Sequence, residues 1–162
     1  MKSGFTRAAI AAALTFGLAA CGDATNSEGE TAEAAKPKER IVVENARLVL
    51  PAVAGNPAAG YFDLTYMSGG GPVIESITVE GAGSSEIHAV DMIDGMMKMD
   101  KAAPISLMAR TPVKFEPGGY HVMAMKPADT LKAGGKTNMT IKLSNGEEAT
   151  VPLDIKAAGD ER

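Results

Sequence analysis

Both histidines of the chain, His88 and His121, lie in one stretch, EIHAVDMIDGMMKMDKAAPISLMARTPVKFEPGGYHVMAM, which runs from Glu86 to Met125. Seven of the ten methionines lie there too. Imidazole nitrogens and thioether sulfurs are neutral or weakly basic donors, and together they suit a soft monovalent ion, of which Cu(I) is the common one. The stretch holds no cysteine and no pair of carboxylates placed for acid–base chemistry.

On an extended strand, residues two apart share a face. His121, Met123 and Met125 therefore project together, with Val122 and Ala124 turned the other way into the core. His88 shares a face with Val90 and Met92, and Met97 shares one with Met99 beyond the turn at Asp94-Gly95. Two hairpins could bring His88, Met99, His121 and Met123 into one coordination sphere. A second reading stays open from the residues alone: methionines fill gaps in a core poor in aromatics, and the histidines sit apart at the surface. Met67, Met108 and Met139 are read that way, as core or loop residues. In favour of a metal site, no histidine lies outside this stretch and its methionine density is several times that of the rest of the chain.

The elements that must position these side chains begin late. Lys2 and Arg7 precede a run from Ala8 to Ala20 that is apolar and ends in small residues, so residues 1–20 read as a secretory signal peptide too short to span a membrane. Leu18-Ala19-Ala20-Cys21 resembles a bacterial lipobox, which places acyl chains on Cys21, the single cysteine. With it, residues 21–40 form a lipidated, disordered tether, for Gly22–Arg40 contain no aromatic and no Val, Ile or Leu. That tether reaches about 65 Å pulled straight and averages roughly 25 Å as a coil.

From Ile41 the pattern changes to short apolar runs. Ile41–Leu50, Gly60–Met67, Val73–Glu80 and Glu86–Met92 read as strands, and Gly81–Ser85 as a turn. Turns at Asp94-Gly95, Pro117-Gly118-Gly119 and Ser144-Asn145-Gly146 predict three hairpins, the second joining Val113–Glu116 to Tyr120–Met125. Seven to nine strands at this spacing predict an all-β domain over 41–157, an antiparallel Greek-key β-sandwich, with a frayed tail at 158–162. Hairpin ends gather at the poles of such a sandwich, where the candidate ligands could meet.

The spacing His88, ten residues, Met99, twenty-one residues, His121, one residue, Met123 resembles the signature H(M)X10MX21HXM of the periplasmic PCu(A)C copper chaperones. Gly95-Met96-Met97-Lys98-Met99 and Pro117-Gly118-Gly119-Tyr120-His121-Val122-Met123 resemble that family as well, and the likeness extends over about Val42–Ile155. It implies a cupredoxin-like β-sandwich holding one Cu(I) through His88, Met99, His121 and Met123. It further implies a periplasmic protein that carries copper toward the Cu(A) centre in subunit II of cytochrome c oxidase, alongside a Sco-type thiol protein; the chain itself is expected to be a monomer. One departure is plain: the bracketed Met has no counterpart in His88-Ala89-Val90. Met92 and Met125 are the thioethers that could replace it, and neither is counted as a ligand.

Composition excludes several other classes. The formal charge of −4 over 162 residues, more negative once residues 1–20 are removed, gives no footprint for nucleic acid. A blue-copper electron carrier needs a thiolate ligand, and Cys21 is assigned to the anchor. No nucleophile–base pair, phosphate loop or zinc-hydrolase pattern is present, which predicts a non-enzyme. Two alternatives stand beside the chaperone: a copper buffer without a dedicated recipient, and a metal-free sandwich that serves as an interaction module.

Overall fold

Asp94 and Gly95 both take positive φ, 53° and 77°, as the two-residue hairpin turn of type I′ requires. The turn joins β4 (Ala82–Ile93) to β5 (Met96–Lys101), the hairpin expected there. The computed structural model describes residues 40–160. Cys21, the expected signal peptide and all of the expected tether except Arg40 lie outside the described residues. The remaining strands are β1 (Ile41–Val49), β2 (Ala58–Tyr66), β3 (Ile74–Val79), β6 (Pro112–Phe115), β7 (His121–Pro127), β8 (Lys136–Leu143) and β9 (Glu148–Lys156). No helix occurs among the described residues.

The strands hydrogen-bond in the order β3-β8-β9-β1-β2-β7-β4-β5, with β6 also on β2. The sheet folds over so that β3 packs against β4, where the Val79 amide donates to Ser85 Oγ at 3.1 Å. The result is a cupredoxin-like β-sandwich. Its core is aliphatic: Leu48, Leu64, Ile141, Leu143 and Leu153 are fully buried, and Phe62 stacks on Phe115 with ring centres 4.2 Å apart. Each such aliphatic side chain contributes about 1.5–3 kcal/mol on burial. Strand alternation delivers them, most regularly in β2 and β8, where every second residue is buried.

Three details depart from the sequence reading. The first and last strands, β1 and β9, pair in parallel through Arg47–Asp154, Leu48–Ile155 and Val49–Lys156, so the sheet is mixed rather than wholly antiparallel. No hairpin connects them, and nothing local forces their directions to oppose. Next, Pro117-Gly118-Gly119 makes a turn, with the Gly119 amide donating to Glu116 O at 3.0 Å, but β6 and β7 do not form a hairpin. Both pair antiparallel with β2, β6 over Phe62–Thr65 and β7 over Ala58–Gly60, so they run the same way along one edge of it. Finally, β4 begins at Ala82 rather than Glu86. Its small residues Gly83, Ser84 and Ser85 look like a turn, yet the ladder to Met125 and Ala124 of β7 extends them.

Arg40 belongs with the folded part. Its carbonyl accepts from the Met67 amide at 2.7 Å, and its guanidinium pairs with Glu147. At the other end, residues 157–160 close a turn in which Asp160 Oδ2 accepts from the Ala157 amide at 3.2 Å.

Candidate metal centre

His88 occupies a junction. It is the last residue of β4 paired to β7 and the first paired to β5, facing His121 on one side and Lys101 on the other. Directly opposed residues share a face of the sheet, so the two imidazoles stand side by side, ring centres 6.0 Å apart and tilted by 47°. An ion held about 2.0 Å from one nitrogen of each ring would set the ring centres about 5–6 Å apart. The histidines meet by direct strand pairing, not by the approach of two hairpin ends.

His121 points away from the aliphatic core, since Val122 and Ala124 on the alternate face are fully buried. It is nevertheless only 4% exposed, with the rings of Tyr61 and His88 beside it. Tyr61 in turn lies under the Arg47 guanidinium, 5.0 Å from the ring centre. His121 Nδ1 lies 3.0 Å from Gly119 O. A carbonyl can only accept, so Nδ1 carries the proton and Nε2 keeps its lone pair. That Nε2 is buried and has no hydrogen-bond partner.

His88 repeats the arrangement with the nitrogens exchanged. Its Nε2 lies 3.4 Å from Glu86 Oε2, a loose contact in which the carboxylate accepts. In the neutral ring its Nδ1 is then the unprotonated nitrogen, and it too is buried without a partner. Two unsatisfied lone pairs on adjacent imidazoles are costly to bury unless something occupies them. They fit a bound cation, and each opposite nitrogen is held by an oxygen, as ligating histidines generally are.

The methionines expected as ligands lie near the two histidines in register. Met123 lies opposite Glu86 on β7, two pairs from His88, and Met99 lies opposite Val90 on β5, two pairs the other way. Both share the face of His88, at diagonal positions that long side chains can span. Met123 is half-buried and Met99 exposed. Met125 follows on the same face opposite Ser84, and Met92 pairs with Met97 further out on the hairpin. Of the methionines set aside, Met139 is fully buried and Met67 and Met108 are exposed in loops. Among the described residues no three His, Cys, Asp or Glu side chains gather as a metal cluster, and the thioethers are the soft donors beside the histidine pair.

Sequence reasoning did not find Glu86, the Gly119 carbonyl or Tyr61. Alternation places Glu86 on the face of His88, a signal available without the structure. Tyr61 left no such trace, because the adjacency of β2 and β7 is not written in either segment.

Residues 41–155 match the LpqE-like lipoprotein family, and the chain belongs to it. The candidate lipoprotein Lxx21020 of Leifsonia xyli subsp. xyli is 24% identical over 151 residues, covering 93% of this chain and 89% of its own. Among solved structures, the copper-bound PCuAC domain from PmoF2 superposes with a TM-score of 0.60 at 19% identity, over 73% of this chain and 93% of that domain. The solution structure of CuI-DR1885 from Deinococcus radiodurans gives 0.61 at 24% identity, over 80% and 87%. At these identities the likeness is one of fold.

Proposed function

We propose that this member of the LpqE-like family binds one Cu(I) through His88, Met99, His121 and Met123 and acts as an extracytoplasmic copper chaperone rather than an enzyme. The observation that carries the reading is the pair of buried, unpartnered lone pairs, His88 Nδ1 and His121 Nε2, on directly opposed residues. Methionines at both diagonals of His88 supply the soft donors. The folds of the copper-bound PmoF2 domain and CuI-DR1885 support it. Neutral thioethers have no proton to lose and cannot form disulfides, so they stay competent in an oxidising compartment, and an ion on neutral ligands can be handed on.

The lipobox and the family's description as lipoproteins support an anchor on Cys21 and a periplasmic location. Delivery to the Cu(A) site of cytochrome c oxidase subunit II, with a Sco-type thiol protein, is the destination implied by the resemblance in ligand spacing. The test is anaerobic Cu(I) titration with X-ray absorption. One equivalent with two nitrogen and two sulfur neighbours is expected, and a chain that binds no Cu(I) would refute the reading. A deletion strain that assembles cytochrome oxidase normally at scarce copper would leave a buffer and remove the chaperone.

A further inference from the structure

Beyond His88 the β4–β5 hairpin leaves the body of the sandwich. Residues 91–100 are all exposed, among them Met92 at 71%, Met97 at 69% and Met99 at 51%. A methionine that only fills space would be covered, as Met139 is. The register sorts the ribbon into two different faces. One carries His88, Val90 and Met92 from β4 against Lys101, Met99 and Met97 from β5. The other carries Asp91, Ile93, Met96, Lys98 and Asp100, with Lys98 and Asp100 paired at 2.9 Å. Lys101 on the first face is turned to Glu86, 3.7 Å away. The outer part of that face is therefore three thioethers with no charge among them.

We infer that Met92, Met97 and Met99 form a second, thioether-only site for a soft monovalent cation at the hairpin tip, where Cu(I) lands before it passes to His88 and His121. Met92 and Met97 are directly opposed, and Met99 is the next residue on the same face as Met97. Three soft neutral donors at adjacent positions suit Cu(I) and offer nothing to hard cations. Met99 belongs to both sites, so the ion need never be free. It keeps that sulfur while His88 Nδ1 and His121 Nε2 replace the sulfurs of Met92 and Met97. The step is ligand exchange, with no electron or proton transferred. This inference rests on the copper reading above.

The test uses the full chain, anaerobic Cu(I) and a competing chelator. With both imidazoles removed (His88→Ala with His121→Ala), one Cu(I) with sulfur neighbours alone should remain, and adding Met92→Leu with Met97→Leu should abolish it. With the imidazoles intact, Met92→Leu with Met97→Leu should leave equilibrium affinity unchanged but slow loading about tenfold, one decade in rate. Leu keeps the volume and apolar character of Met, so the pair separates thioether chemistry from an apolar docking surface. Met96→Leu, on the other face, should change neither reading. Loading of Met92→Leu with Met97→Leu at the wild-type rate would overturn the inference, as would sulfur-bound copper that survives those changes. Tight, pH-dependent binding by the wild-type chain would still stand in either case, so the two readings fail separately.

Discussion

Strand β8 and strand β5 both carry methionine, and they use it in opposite ways. In β8 every second residue is buried and Met139 is sealed between the layers. In β5 all six residues are exposed, and Met97 and Met99 stand on a two-stranded ribbon, 69% and 51% exposed. The contrast lies in what each residue does with its sulfur. For Met139 only volume matters, whereas the outer methionines contribute little volume to any core and present a lone pair. A residue type is thus assigned a role by the layer it sits in, and layers are set by strands distant in sequence.

The largest effect that could break this comparison is on stability. Met139→Ala should cost about 2–5 kcal/mol in urea unfolding, as truncations of buried side chains do. Met97→Ala should stay within about 0.5 kcal/mol, as exposed positions do. Equal losses at the two sites would erase the distinction. Next comes copper: His121→Ala should weaken Cu(I) binding about 100-fold or more, since positions that merely orient a ligand already cost about 10–100-fold. Met108→Leu, exposed and in a loop, should leave a chelator-competition titration unchanged. Wild-type affinity should also fall on acidification, because a protonated imidazole cannot ligate. Binding by thioethers alone should not follow pH.

Glu86→Ala sharpens the picture at smaller scale. It should lower affinity about tenfold through the lost hold on His88 Nε2, while the Cu–S distances in X-ray absorption stay fixed. The smallest effect is Arg40→Ala. The hydrogen bond from Arg40 holds the Glu147 carboxylate below its ordinary pKa. A carboxylate depressed in the folded state stabilises it above the ordinary range and loses that contribution as pH falls through the folded-state value. The variant should therefore melt slightly below wild type at pH 7, and the gap should close as pH falls below the ordinary glutamate range.

Local chemistry made part of this architecture legible. The Asp94-Gly95 and Ser144-Asn145-Gly146 turns specify their hairpins with residues that accept left-handed backbone, and the strands they join follow. Alternation alone placed Val122 and Ala124 in the core opposite His121 and Met123. Pro117-Gly118-Gly119 misled for the same reason that the others succeeded. It has the composition of a hairpin turn, but the partner that satisfies both flanking strands is β2, about fifty residues before β6 and over sixty before β7. The direct opposition of His88 and His121 was hidden likewise, because the register between β4 and β7 is fixed by packing over a long connection.

The parallel pairing of β1 with β9 has a mechanical consequence. Pulling the start of β1 away from the end of β9 slides the two strands past one another. The rungs at Arg47–Asp154, Leu48–Ile155 and Val49–Lys156 then resist together in shear. Between β8 and β9, joined by a turn and antiparallel, a pull on the open ends parts the rungs one after another. In single-molecule stretching the domain should yield at higher force when held at residues 40 and 156 than when held at 136 and 156.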